Sequence, residues 1–249
     1  MRTDETRIGG AGEAFQPTRW SIVLAAGDPR SAEYVESLDY LTRAYWRPVY
    51  AYLRRRGHSI EDAKDLTQEF FEVALRRNLP GRAEQGAGKF RTFLLASVQN
   101  FLRDARDRET AARHGGGWKK LEIDLEGGLG DDPGIVGPGS DTPEQAYGRR
   151  WALDLLQAAL SDLRRHYAAE GKDLNYRLFE RYVDLLVAGG AIEYPALAGE
   201  FGCSEADVTN YLHRARRLYR DLLRARIRES VTGPEEVEEE IQELFGFLG

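Results

Sequence analysis

Cysteine is nearly missing from this chain: Cys203 stands alone among 249 residues, which excludes an internal disulfide and suits a reducing compartment. No apolar run approaches the ~20 residues that a membrane span needs. Residues 1–14 carry charges with no apolar stretch after them, so a secretory leader is not expected there. A cytoplasmic protein with no membrane attachment is the expectation. Enzyme signatures are as scarce. Gly88-Lys89 comes near a phosphate loop, but Phe90 stands where a hydroxyl is required. None of His58, His114, His166 and His213 lies three residues after a glutamate, so the helical di-metal signature is absent. No catalytic residue, metal or cofactor is expected, and a metal held by Asp62, Asp65 and Glu69 is the weaker reading of those acids. Strand-like alternation is also rare.

What the chain does have is charge sorted by segment. The net charge of −6 at first speaks against a nucleic-acid binder, but the sum hides its distribution. Residues 205–228 hold seven arginines and His213 against three acids, whereas residues 229–249 hold seven glutamates and no lysine or arginine. A basic segment thus runs directly into an acidic one.

Apolar residues recur at helical spacing. Leu38, Leu41, Tyr45 and Trp46 form one face, which resumes at Val49, Tyr52 and Leu53 after Pro48. Gly57 marks a stop, and Ser59 with Asp62 predicts the start of a helix striped by Ala63, Leu66, Phe70 and Val73. Pro80-Gly81 breaks the chain, and a loop with Gly86 and Gly88 leads into a helix bearing Phe90, Phe93, Leu94, Val98, Phe101 and Leu102. Nine glycines and three prolines between His114 and Pro143 read as a linker. A second helical unit opens near Pro143, and Pro234 precedes a last amphipathic helix with Val237, Ile241, Leu244 and Phe245 as its apolar face. The fold class is therefore all-α: two helical domains, a glycine-rich tether and an acidic helical extension.

Residues 194–228 fit a helix-turn-helix. Pro195 suits a first helical turn, Gly202 permits the left-handed turn, and Ser204 caps the second helix. Val208, Leu212, Ala215 and Leu218 line its inner face. If that helix enters a major groove, Asp207, Thr209, Asn210, Tyr211 and Arg214 fall near base edges, His213 lies with them on the outer DNA-facing side, and Arg216, Arg217 and Arg220 are phosphate contacts or structural pairs.

The run Tyr45-Trp46-Arg47-Pro48-Val49-Tyr50, followed by Glu61-Asp62-Ala63-Lys64-Asp65-Leu66-Thr67-Gln68-Glu69-Phe70-Phe71, resembles region 2 of bacterial RNA polymerase sigma factors. Leu197 to Leu223, with Leu212-His213-Arg214-Ala215-Arg216-Arg217, is similar to region 4. The order of these parts resembles the extracytoplasmic-function group. Phe15-Gln16-Pro17-Thr18-Arg19-Trp20-Ser21 and the long linker resemble a subgroup associated with Ser/Thr protein kinases. The resemblance implies a region 2-like domain over residues 15–113, a linker over 114–143, a region 4-like domain over 144–230 and an extension over 231–249. It implies that Asp62, Asp65, Gln68 and Glu69 dock on the clamp coiled coil of the core polymerase's large subunit. It implies that Lys89, Phe90, Arg91, Asn100, Arg103, Arg106 and Arg108 engage the −10 element of promoter DNA, with Phe90 as a stacking platform for an extruded base. The second domain then reads the −35 element. Elements ~25 base pairs apart are separated by ~85 Å, which the linker outreaches when drawn out at ~3.3 Å per residue.

Lys64 stands where that family usually has an acid. A phosphate on Thr67 or on another hydroxyl nearby is one way to restore the negative charge, set against the plainer reading of Thr67 as an ordinary helix residue, with a Ser/Thr kinase or an anti-sigma protein as the regulatory partner. Cover of the second domain's arginines by the acidic extension is another. A sigma-like helical adaptor that no longer initiates transcription is the alternative reading.

Overall fold

A computed structural model describes residues 19–112, 141–189, 191–231, 233 and 236–248. Residues 15–18, Arg108's side chain and the linker up to residue 140 lie outside what is described. Among the described residues the architecture is all helical: α1 (Trp20–Gly27), α2 (Tyr34–Arg55), α3 (Ile60–Arg76), a single 3-10 turn (Pro80–Arg82), α4 (Phe90–Ala112), α5 (Pro143–Ala169), α6 (Asp173–Val187), α7 (Tyr194–Phe201), α8 (Glu205–Ser230) and α9 (Glu236–Leu248). No described helix is long and apolar enough to cross a membrane.

Local chemistry accounts for most boundaries. Ser59 accepts a hydrogen bond from the Asp62 backbone at the start of α3, satisfying an otherwise orphaned N–H. Thr142 and Gln145 form a reciprocal capping box that opens α5, with Pro143 in its first turn. Ser204 and Asp207 do the same for α8. Gly202, at φ 65°, ends α7 in the left-handed region, which a residue with a Cβ enters only at a cost.

Propensity does not explain α2, which runs straight through Pro48. An interior proline removes a helical hydrogen bond and costs about 3 kcal/mol. Packing offsets this, because every residue from Pro48 to Leu53 is buried. A surface helix buries one stripe, but α1, α3 and α5 all pack against α2, with α5 its most extensive neighbour.

Buried residues gather into two clusters. One takes in α1–α4, the first half of α5 (Tyr147, Trp151, Ala152, Leu155, Ala159), the end of α8 (Leu223, Ile227) and α9 (Val237, Leu244). The other holds the end of α5 (Leu163, Tyr167), α6, α7 and the first half of α8 (Val208, Leu212, Ala215). The long helices α5 and α8 thus each belong to both cores. In α9 the expected apolar face is shifted. Val237 and Leu244 are buried, but Phe245 is 55% exposed. Phe247 packs on the first core instead.

Candidate nucleic-acid interface

The first surface is the outer face of α3. Ala63, Thr67, Phe70, Phe71 and Ala74 are buried, which turns Asp62 and Asp65 to solvent and leaves Gln68 and Glu69 half-exposed. Positions i, i+3 and i+7 share one side of a helix, so the three carboxylates stand in a row. Asp62 accepts from the Ser59 hydroxyl at 2.7 Å, and Gln68 donates to Glu72 at 3.3 Å. Lys64 is exposed at the edge of this face. Thr67 is not on it. Its side chain is fully buried, and its hydroxyl donates to the Ala63 carbonyl at 2.6 Å. The expectation of a phosphate there is corrected: no kinase reaches that oxygen in this conformation, and a dianion would have to enter the core.

The second surface, at the start of α4, differs most from the sequence reading. Phe90 is 5% exposed, edge-to-face with Tyr45 at 5.6 Å between centroids and with Trp20 at 6.5 Å. It is core, not an open platform, because the turn before α4 aims the first residue of the helix inward. Arg91 is buried too, at 6% exposure. Its guanidinium lies 4.3 Å from the centre of the Trp151 ring and pairs with Glu240, itself 1% exposed. A second contact reaches Glu243 at 2.8 Å. Lys89 donates to Glu243 and is also paired with Glu240. The remaining residues assigned to this element, Asn100, Arg103 and Arg106, are exposed farther along α4.

Burial works against the charged form of Glu243, but hydrogen bonds from Lys89 and Arg91 outweigh it and hold the carboxyl below the usual glutamate range. A carboxyl lowered on folding adds stability above its unfolded pKa, and that stability is lost as pH falls through the folded value. Carboxyl-carbon NMR on the full chain is expected to show Glu243 titrating below an exposed glutamate, and Lys89→Ala to move it back up. A neighbouring acid behaves oppositely. Burial raises Asp154 above the usual aspartate range despite Arg150 and Arg47, the latter reaching from α2 at 3.6 Å.

The third surface is α8. Thr209, Asn210, His213, Arg214 and Arg217 are exposed, and Tyr211 is half-buried. The exposed Thr209 turns its hydroxyl to the Glu205 carbonyl at 3.0 Å, and two further side chains are engaged within the fold. Asp207 accepts from the Ser204 hydroxyl at 2.6 Å and from its backbone at 3.1 Å, bonds that lower its pKa. Arg216 lies over Tyr182 at 4.4 Å and donates to Tyr194 at 3.3 Å. The first is a cap and the second a brace between helices. The exposed set Thr209, Asn210, His213 and Arg214 therefore forms the accessible part of the expected reading face.

The acidic extension lies elsewhere than expected. It meets the end of α8, where Arg224 donates to Glu238 at 3.0 Å, and it pairs with Lys89 and with Arg91 of α4. The alternating acids and apolar residues of 236–244 signalled a two-faced helix. Nothing in their order named α4 as the partner, and Trp151 gave no sign of its cationic neighbour.

Among the described residues the chain is all helical and carries a helix-turn-helix and a separate acidic helix face. No protein-family model matches the chain, and no solved structure matches it. It is similar to the RNA polymerase sigma factor YlaC of Bacillus subtilis (strain 168), at 26% identity over 199 residues, which cover 79% of this chain and 98% of that protein. A distant homologue is thus an RNA polymerase sigma factor.

Proposed function

We propose that this chain is an RNA polymerase sigma factor of the extracytoplasmic-function type, working in the cytoplasm and belonging to the long-linker subgroup. In this reading α3 docks on core polymerase, the α4 region meets the −10 element, and the start of α8 reads the −35 element. The observation that carries it is the division of labour on the surface. Asp62, Asp65 and Glu69 line one side of α3, while Thr209, Asn210, His213 and Arg214 are presented by the helix after a left-handed glycine turn. The distant likeness to a sigma factor over most of the chain supports it.

Run-off transcription with core polymerase and selected promoter fragments is the direct test. A working sigma factor yields transcripts with defined starts, whereas the adaptor alternative binds polymerase and yields none. Asp62→Lys with Asp65→Lys is expected to weaken binding to core polymerase by about 30-fold or more, since losing a close charged contact at an interface costs ~2–5 kcal/mol. Wild-type chain that does not bind, or a variant that binds equally well, would refute the reading. The burial of Thr67 supports a hydroxyl elsewhere as the target of any regulating kinase.

A further inference from the structure

The contact between α9 and α4 joins residues 149 positions apart and buries both charges. A carboxylate at 1% exposure and a guanidinium at 6% are tolerable inside a protein only as partners. Three helices meet there. Arg91 of α4 stacks on Trp151 of α5, the Tyr147 hydroxyl of α5 donates to the Arg91 carbonyl at 3.0 Å, and α9 supplies both carboxylates. The seat of α9 is shaped as well as charged. A Cβ on Gly148 would come within 2.3 Å of the Phe247 ring, so α5 admits that ring because it carries no side chain at this point.

Lys89 and Arg91 are two of the cations assigned above to the DNA backbone. Glu240 and Glu243, one helical turn apart, present to them acceptor oxygens of the kind that backbone phosphates present. We infer that α9 is an internal competitor for the −10 strand, occupying Lys89 and Arg91 so that nucleic acid and α9 bind in turn and never together. This rests on the sigma reading of α4. The competition is confined to that site, since Thr209, Asn210, His213 and Arg214 on α8 remain exposed. The same helix also meets the end of α8 through the exposed pair of Arg224 and Glu238, whose loss costs little, since Leu223 and Ile227 hold that end of α8 in the first core.

The test uses full-length chains and a fluorescein-labelled single-stranded DNA of mixed sequence. Hydrogen exchange of residues 236–248 and binding to core polymerase are measured on the same samples. Glu240→Gln with Glu243→Gln removes the acceptor charges. Gly148→Leu displaces Phe247 from the other side and leaves every ion-pairing residue in place, so the test survives if the first variant folds poorly. Glu33→Gln with Glu36→Gln gives the same change of net charge at a distant, exposed site. Both unlocking variants are expected to exchange faster in α9 and to bind DNA about tenfold tighter, as when the competent form rises from a tenth of molecules to nearly all. DNA added to wild type is expected to speed exchange in α9, and the control should change neither property. Freed α9 with DNA affinity equal to wild type, or α9 exchange unmoved in every variant, overturns the lock while polymerase binding stays intact. Loss of polymerase binding in wild type itself would instead remove the sigma reading and this inference with it.

Discussion

Phe90→Ala is expected to cost about 3–5 kcal/mol of folding stability, the usual range for deleting a buried aromatic ring. The ring sits among Trp20, Tyr45 and Phe93, and edge-to-face pairs add ~0.5–1.5 kcal/mol beyond the area they bury. Deleting it opens a cavity at the junction of α1, α2 and α4, which aromatic neighbours on three helices cannot close by small shifts. Phe90→Leu should lose much less, because it keeps most of the volume. The measurement is urea unfolding with an unchanged dependence on denaturant, so that the midpoint reports stability alone. Were Phe90→Ala as stable as wild type and deficient only in binding single-stranded DNA, the ring would be a platform after all.

The next largest effect belongs to Arg91. Arg91→Met leaves Glu240 at 1% exposure with only Lys89 beside it, and breaking a buried pair from one side costs about 3–5 kcal/mol. The chain has an escape that a deeper pair would lack. Glu240 is on α9, which can leave its seat and return the carboxylate to water, so the loss cannot exceed the free energy that holds α9 down. The expected result is therefore local: rapid hydrogen exchange over residues 236–248 while α2 and α5 stay protected. Arg91→Met combined with Glu240→Leu removes both charges and is expected to re-seat α9, since an apolar pair of similar volume is often as stable as the buried ions it replaces. A double variant as loose as the single one would show that these charges do not position the helix.

How far the residues could be read in advance depended on whether their signal was local. The Ser59 cap, the Gly202 turn and the Ser204 cap are decided by atoms two or three residues apart, and the structure has each of them. The exposed acids of α3 were legible because Ala63 and Phe70 mark the opposite stripe, although Leu66 and Val73 are only half-buried and Phe71 and Ala74 complete it instead. Thr67 misled because a hydroxyl reads as polar. On a helix it can turn its hydrogen to the carbonyl four residues back and sit in a core, as it does here. Asp207 has a role that its place near the start of a reading helix did not name: the same position lets its carboxylate close a capping box.

Phe90 and Arg91 show the limit of periodicity. It marks a stripe on a helix but cannot say when a second or third neighbour will cover the other sides, as α5 and α9 cover the start of α4. By itself the sequence determined the helices, their punctuation and the sorting of charge into an acidic face, a basic helix and an acidic extension. All of these follow from spacing along the chain and the conformational limits of single residues. Only the tertiary structure decided that Arg91 faces Trp151, that Glu240 and Glu243 hold Lys89 and Arg91, and that Phe247 fills the space over Gly148. Those pairings join residues from 60 to 154 positions apart. They are selected by which buried charges and shapes can satisfy one another once the helices have met.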